Sequence, residues 1–260
     1  VQPVCSGQTG LLVGNGVLRP MPAGCPSLPF SFCLLGFLQK GADASVSKNW
    51  VSRYGWFVAG VLLNSFGVAL ITKAALGTSP ISSLPYVLSF RFPVTLGQFT
   101  FVMNMFFILG QWLLLRKDFH PIQFLQIAVN VLFSLVIDVS MGLLSWLEPD
   151  TLPAQLLALA AGCAVLAFGI SIEVAPRVLM VPGEGIVQAI TAVSGCRFGS
   201  VKVGFDATLV ATALVLSLLF FHRLQGLGVG TILSALAVGR IVNLYNRRLP
   251  LISRISALVP

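Results

Sequence analysis

Six apolar stretches, each close to the roughly 20 residues a helix needs to cross a bilayer, occupy most of the chain. They run from about Tyr54 to Thr72, Gly97 to Leu115, Pro121 to Leu143, Leu152 to Val174, Val201 to Phe221 and Leu227 to Tyr245. A run of that length with no periodic polar face cannot be hidden in a small water-soluble core. Composition agrees. Only 9% of the 260 residues are charged and the mean hydropathy is +0.93, against about 25% charged residues in soluble domains. Strand-like alternation is absent, which argues against a membrane barrel. The expected class is an all-α, multi-pass membrane protein with six transmembrane helices.

The formal net charge of +8 is not read as a nucleic-acid signal, because the basic residues fall where the positive-inside rule places them. Lys48 and Arg53 precede the first stretch, and Arg116 and Lys117 follow the second. Arg197 and Lys202 flank the start of the fifth, and Arg247, Arg248 and Arg254 follow the sixth. The acidic loop Glu148–Asp150 carries no basic residue. Both termini are therefore expected in the cytoplasm. Residues 1–45 are rich in Gly, Pro and Ser, begin with Val, and are expected to be a disordered or non-native extension. Residues 46–250 read as one transmembrane domain and 246–260 as a basic cytoplasmic tail. The five cysteines form no CxxC pair and no His cluster accompanies them, so neither a metal site nor a cofactor is expected.

Sliding the chain along itself by 102 residues lays Pro80 on Pro182, Phe66-Gly67 on Phe168-Gly169, Gly60 on Gly162 and Gly97 on Gly199. The same offset lays "FHPIQFL" (119–125) on "FHRLQGL" (221–227). Each copy, about 54–143 and about 152–245, reads as a span, a short proline-initiated piece and two further spans. The short pieces, Pro80 to Phe90 and Pro182 to Val193, are about half a bilayer long at 1.5 Å per residue. Three crossings per copy require the second to sit upside down. Inverted repeats with broken or re-entrant half-helices are common among secondary transporters, since irregular backbone at membrane depth is tolerated only inside protein or beside water. The plainer alternative is that both prolines simply kink long tilted helices.

A substrate site near the midplane between the two breaks follows. It comprises Gly77, Thr78, Ser79, Pro80, Ser82 and Ser83 in the first copy and Pro182, Gly183, Glu184 and Gly185 in the second, with Asn104 beside them. The ionisable residues Asp138, Glu173, Arg177, Lys202, Asp206 and Arg240 are the coupling or pathway candidates, because charge is costly in lipid. Lys202 and Asp206 lie four apart on one helix face, and their counterparts are Thr100 and Asn104. Asp138 and Arg240 also correspond, but inversion puts them at different depths. Gln111, Gln126 and Asn130 suit interhelical hydrogen bonds.

"ALGTSPISSL" (75–84) and "GVGTILSALAVGRIVN" (228–243) resemble elements of the YczE/YitT-like bacterial membrane proteins, over roughly Trp50 to Arg248. The resemblance implies a multi-pass protein of the bacterial cytoplasmic (inner) membrane and supplies no catalytic residues. The expected function is secondary transport of a small solute, not catalysis. Membrane lipid and the solute are the expected partners, nucleic acid is not, and a homo-oligomer is allowed for. The competing reading is a non-transporting regulatory or scaffold protein that acts through contacts in the bilayer.

Overall fold

The computed structural model describes residues 11–14, 17–20, 50–116, 119 and 121–258. The chain divides into two compact units, Val1–Asp43 and Ala44–Pro260. In the first, β1 (Leu11–Gly14) pairs antiparallel with β2 (Val17–Pro20), Leu11 opposite Pro20. The remainder of the expected 1–45 extension lies outside the described residues.

The second unit is helical: α1 (Trp50–Lys73), α2 (Pro80–Arg91), α3 (Leu96–Leu115), a 3-10 turn (Pro121–Phe124), α4 (Leu125–Leu143), α5 (Leu152–Val174), α6 (Pro182–Ser194), α7 (Phe198–Phe221), α8 (Val229–Arg248) and α9 (Pro250–Ser256). Among the described residues, five helices, α1, α3, α4 with its leading turn, α5 and α7, are long and apolar enough to cross a membrane by length and composition. The chain is an α-helical, multi-pass membrane protein. The sixth stretch, expected as a span, is helical as α8, 20 residues long, but is not among the helices apolar enough to cross. Arg240, Asn243, Asn246, Arg247 and Arg248 crowd its second half and lower its apolarity. Both short helices begin with proline in the first turn, where the missing N–H breaks no helical bond. The stretch expected as a basic tail contains α9. Its Ile252 and Ile255 are buried and cluster with Ile172 and Ala175 at the end of α5.

The fold is organised around the α1–α5 seam, where glycines let two backbones meet. A Cβ on Gly60 would strike the backbone of Glu173, and one on Gly67 the backbone of Leu166. From the other side, a Cβ on Gly169 would strike Asn64 and one on Gly162 would strike Ile71. As the α1 position rises through 60, 64, 67 and 71, its α5 partner falls through 173, 169, 166 and 162. The helices therefore run antiparallel. Exchange the helices and apply the 102-residue offset, and these contacts map onto one another: Gly60 with Glu173 becomes Gly162 with Ile71, and Gly67 with Leu166 becomes Gly169 with Asn64. The midpoint falls between Ser65 and Phe66 on α1 and between Ala167 and Phe168 on α5.

Most of the remaining packing follows the same exchange. α4 lies on α1 as α8 lies on α5, α3 meets α6 as α7 meets α2, and α2 touches α3 as α6 touches α7. The chain even leaves α1 and α5 in the same way. Ala75 and Arg177, 102 apart, both adopt left-handed backbone, with φ of 60° and 50°, a conformation uncommon outside glycine. One large interface departs from the pattern. α3 and α4 pack along their length, whereas α7 and α8 have no comparable interface.

Candidate functional site

The first break, Ala74 to Ser79, is filled by protein. Gly77 takes φ +118°, and the space a Cβ would need is held by Thr231 Oγ1 and Gly228 N. Thr78 N donates to Thr231 Oγ1 (3.2 Å), Gly230 N donates to Leu76 O (2.9 Å), and Ser234 Oγ donates to Thr78 O (3.4 Å). Leu76 O in turn sits where side chains on Gly228 and Gly230 would go. The Gly-x-Gly-Thr start of α8 is thus a mould for the Leu-Gly-Thr break, so the two elements that carry the sequence resemblance touch each other. Thr78, Ser79, Pro80, Ser82 and Ser83 are all buried. Their hydroxyls are spent internally: Thr78 with Thr72 (2.8 Å), Ser79 with Ser82 (3.0 Å), Ser83 with Pro80 O (2.6 Å). This half is a closed structural joint.

The second break is built differently. Arg53 of α1 donates from Nε and Nη2 to Pro176 O at 3.2 and 3.0 Å, pinning the end of α5. Arg177 also has a partner, and its carbonyl accepts from Arg53 Nη2 at 3.5 Å. Gln111 of α3 donates to Pro182 O (3.2 Å), and its side chain occupies the space beside Gly185. Pro182, Gly183 and Gly185 are buried, whereas Glu184 is partly exposed. Glu184 lies close enough to Lys202 and Asp206 of α7, and to Glu173 of α5, for their charges to interact. Lys202 Nζ and Asp206 Oδ1 form a partly exposed ion pair at 3.2 Å. Glu173 is 2% exposed and its Oε2 accepts from Asn64 Nδ2 at 2.8 Å. It sits opposite Gly60, roughly 8 Å along the helix from the seam midpoint. Three carboxylates and one ammonium, carried on α5, α6 and α7, therefore share one neighbourhood. In lipid such a group persists only with its charges paired or wetted.

The other predicted residues have structural partners or stand apart. Asn104 donates to Asn130 Oδ1 (2.8 Å), and Asn130 donates to Phe101 O (3.0 Å). Gln111 and Gln126 exchange bonds at 3.2 and 3.3 Å. Amide pairs thus zip α3 to α4. Asp138 caps α3, with Oδ2 accepting from Thr95 Oγ1 (2.6 Å) and Oδ1 from Gly97 N (2.8 Å). It also borders a groove of about 390 Å³ along α3 and α4, lined by Gln98, Phe101, Val102, Val131, Ser134 and Leu135. Arg240 is exposed on α8.

Glu173, Glu184, Lys202 and Asp206 are brought together; the first break, Asn104, Asp138 and Arg240 are not part of that group. Sequence reasoning passes over Asn64, Arg53 and Thr231. An Asn in the middle of an apolar span is a usable signal, since an amide in lipid demands a partner. Arg53 is hidden among interfacial basic residues, and Thr231 looks like a packing residue.

A model of the family of unknown function DUF6198 matches residues 51–247, and the chain belongs to that family. It is 26% identical over 200 residues to the uncharacterized membrane protein YczE of Bacillus subtilis (strain 168), covering 76% of this chain and 86% of that protein. It is 22% identical over 208 residues to the uncharacterized protein YyaS of the same organism, covering 78% and 94%. No solved structure is significantly similar.

Proposed function

We propose that this DUF6198 member is a secondary transporter of a small solute, not an enzyme, in the bacterial inner membrane. Its six long helices, α1, α3, α4, α5, α7 and α8, cross the bilayer as two inverted three-helix repeats with both termini in the cytoplasm. The observation that carries the reading is the α1–α5 seam. Helices related by the sequence offset meet antiparallel through contacts that interchange, as expected of copies inverted about an axis in the membrane plane. Arg240, Arg247 and Arg248 then stand toward the cytoplasmic end of α8, where long basic side chains reach the headgroups.

The solute site belongs to the second break alone. The first break has its polar atoms satisfied by α8, whereas Glu184, Lys202 and Asp206 remain partly exposed beside the amino end of α6. Glu173 and Asn64 form the inner wall. A site with three carboxylates and one ammonium suits solutes that carry positive charge, and it suits coupling to a cation.

Purified protein is screened for solutes that raise its melting temperature, and hits are tested for flux in proteoliposomes. Glu184→Gln is expected to abolish flux while leaving melting unchanged. Flux that survives Glu184→Gln and a Lys202→Gln/Asp206→Asn variant would refute the assignment. The competing reading, a non-transporting scaffold, draws on the exposed faces of α7 and α8, and a stoichiometric partner recovered with solute-inert protein would favour it.

A further inference from the structure

The two helix pairs that should be equivalent are packed in opposite ways. In the first, Gly97 is covered by Ser134 O and the Asp138 carboxylate, and Asn130 is 0% exposed and Ser134 is buried. Their counterparts at the 102-residue offset are Gly199, Arg240, Ile232 and Leu236. Among the described residues nothing lies within 4 Å of a Cβ position on Gly199, Ile232 is 62% exposed, and Leu236 and Arg240 are exposed. Phe101 is partly buried beneath α4, while its counterpart Val203 is 70% exposed. The main packing around these pairs is shared: the α1–α5 seam, α4 on α1 with α8 on α5, and the two short helices on the opposite long ones. The difference is therefore local: α4 packs on α3 along its length, leaving only the groove beside Phe101, Ser134 and Asp138, whereas α8 stands away from α7.

We propose that these are two conformations available to either pair, and that the molecule alternates by exchanging them: α8 closes on α7 as α4 opens from α3. Packed interfaces tend to hold discrete arrangements instead of deforming continuously. Because the pairs are related by the seam, the exchanged state lays α8 on α7 in the arrangement that α4 has on α3, but with different side chains meeting: Asn104 with Asn130 becomes Asp206 with Ile232, and Gln111 with Gln126 becomes Ala213 with Gly228. Asp206 takes the position of Asn104, the residue that faces α4 across the sealed pair, so Asp206 faces the open side. The polar group at α6–α7 is thus reached through the α7–α8 opening, and closing that seam withdraws it. The inference rests on the transport reading for its purpose, and its geometry is testable without any solute.

All five native cysteines are replaced by serine, and Val203→Cys, Ile232→Cys and Ser134→Cys are introduced. Val203 and Ile232 are exposed, and among the described residues Ser134 Oγ bonds to backbone carbonyls of its own helix, so these changes spare the fold. Membranes are treated with a short bifunctional thiol reagent and then with a water-soluble maleimide.

The bridge between the Val203→Cys and Ile232→Cys positions is expected to form within single chains. Once it has formed, maleimide labelling of Ser134→Cys is expected to rise several-fold, reporting water at the opened α3–α4 seam. A bridge that fails to form, that forms only between chains, or that leaves Ser134→Cys labelling unchanged overturns the proposal. Flux measured on the same membranes bears on transport alone. Exchange without flux for any solute would sink the transport reading and leave the alternation standing.

Discussion

Replacing Gly67 or Gly169 with alanine tests the seam on which the rest of the architecture hangs. A Cβ on Gly67 would lie 2.6 Å from both N and Cα of Leu166 and 2.8 Å from its Cβ. On Gly169 it would lie 2.5 Å from Asn64 N and 2.9 Å from Asn64 Cα. Carbon contacts are comfortable at about 3.5 to 4.0 Å, so each methyl is roughly 1 Å too close. The obstructing atoms are backbone, and relief requires moving α1 away from α5. Overpacking of this kind costs about 1–3 kcal/mol, offset by at most about 1 kcal/mol from alanine's helix preference. The net loss is about 1–2 kcal/mol, or a factor of roughly 5 to 30 in the folded-to-unfolded ratio. Titrating SDS into mixed micelles and following helix content by circular dichroism measures it. Gly199→Ala and Gly204→Ala are the controls, because among the described residues nothing lies within 4 Å of a Cβ at either position; both should be neutral or slightly stabilising. If Gly67→Ala unfolds at the same SDS fraction as Gly199→Ala, the close antiparallel seam is wrong.

Three further outcomes follow from individual contacts. Thr231→Val leaves the buried N–H of Thr78 without its acceptor and should cost about 1–3 kcal/mol in the same titration. Asp138→Leu removes both bonds at the start of α3; a loss of about 1 kcal/mol is expected, with faster amide exchange confined to residues 95–99. Lys202→Gln breaks a partly exposed ion pair worth at most about 1 kcal/mol, so melting without solute should hardly move, while stabilisation by a cationic solute should grow because the site loses its one positive charge.

Helix positions are legible in the sequence because apolar run length and proline placement are local signals. Expected and observed starts agree for both short helices, at Pro80 and Pro182. Four of the glycines that carry the 102-residue offset, Gly60, Gly67, Gly162 and Gly169, are legible for a physical reason, since they serve backbone approach, which no other residue type permits so cheaply. Reading both breaks as open, however, treats matching sequence as matching environment. Whether Thr78 or Glu184 is exposed depends on what covers it. The covering residues come from far along the chain: Gly228, Gly230 and Thr231 over the first break, Gln111 beside the second. Asp138 stands out by its cost in lipid, while the helix end that meets that cost is invisible without the fold. Asn64, inconspicuous in the first span, turns out to hold Glu173.

The composition of the two seams explains why one is sealed and the other open. Asn104 and Asn130 are neutral amides that satisfy each other at 2.8 Å, so α4 can cover α3 without stranding a charge. At the corresponding place Asp206 would face Ile232. Burying a carboxylate against an aliphatic side chain costs several kcal/mol unless its charge is neutralised. Lys202 pairs with Asp206 at 3.2 Å, so closure of α8 on α7 is linked to whatever neutralises the negative charge that this one ammonium leaves on Asp206, Glu184 and Glu173. Asp206→Asn removes one of those charges and should speed bridging between Val203→Cys and Ile232→Cys in the absence of any solute. Unchanged or slower bridging in Asp206→Asn would show that charge at this position does not hold the seam open.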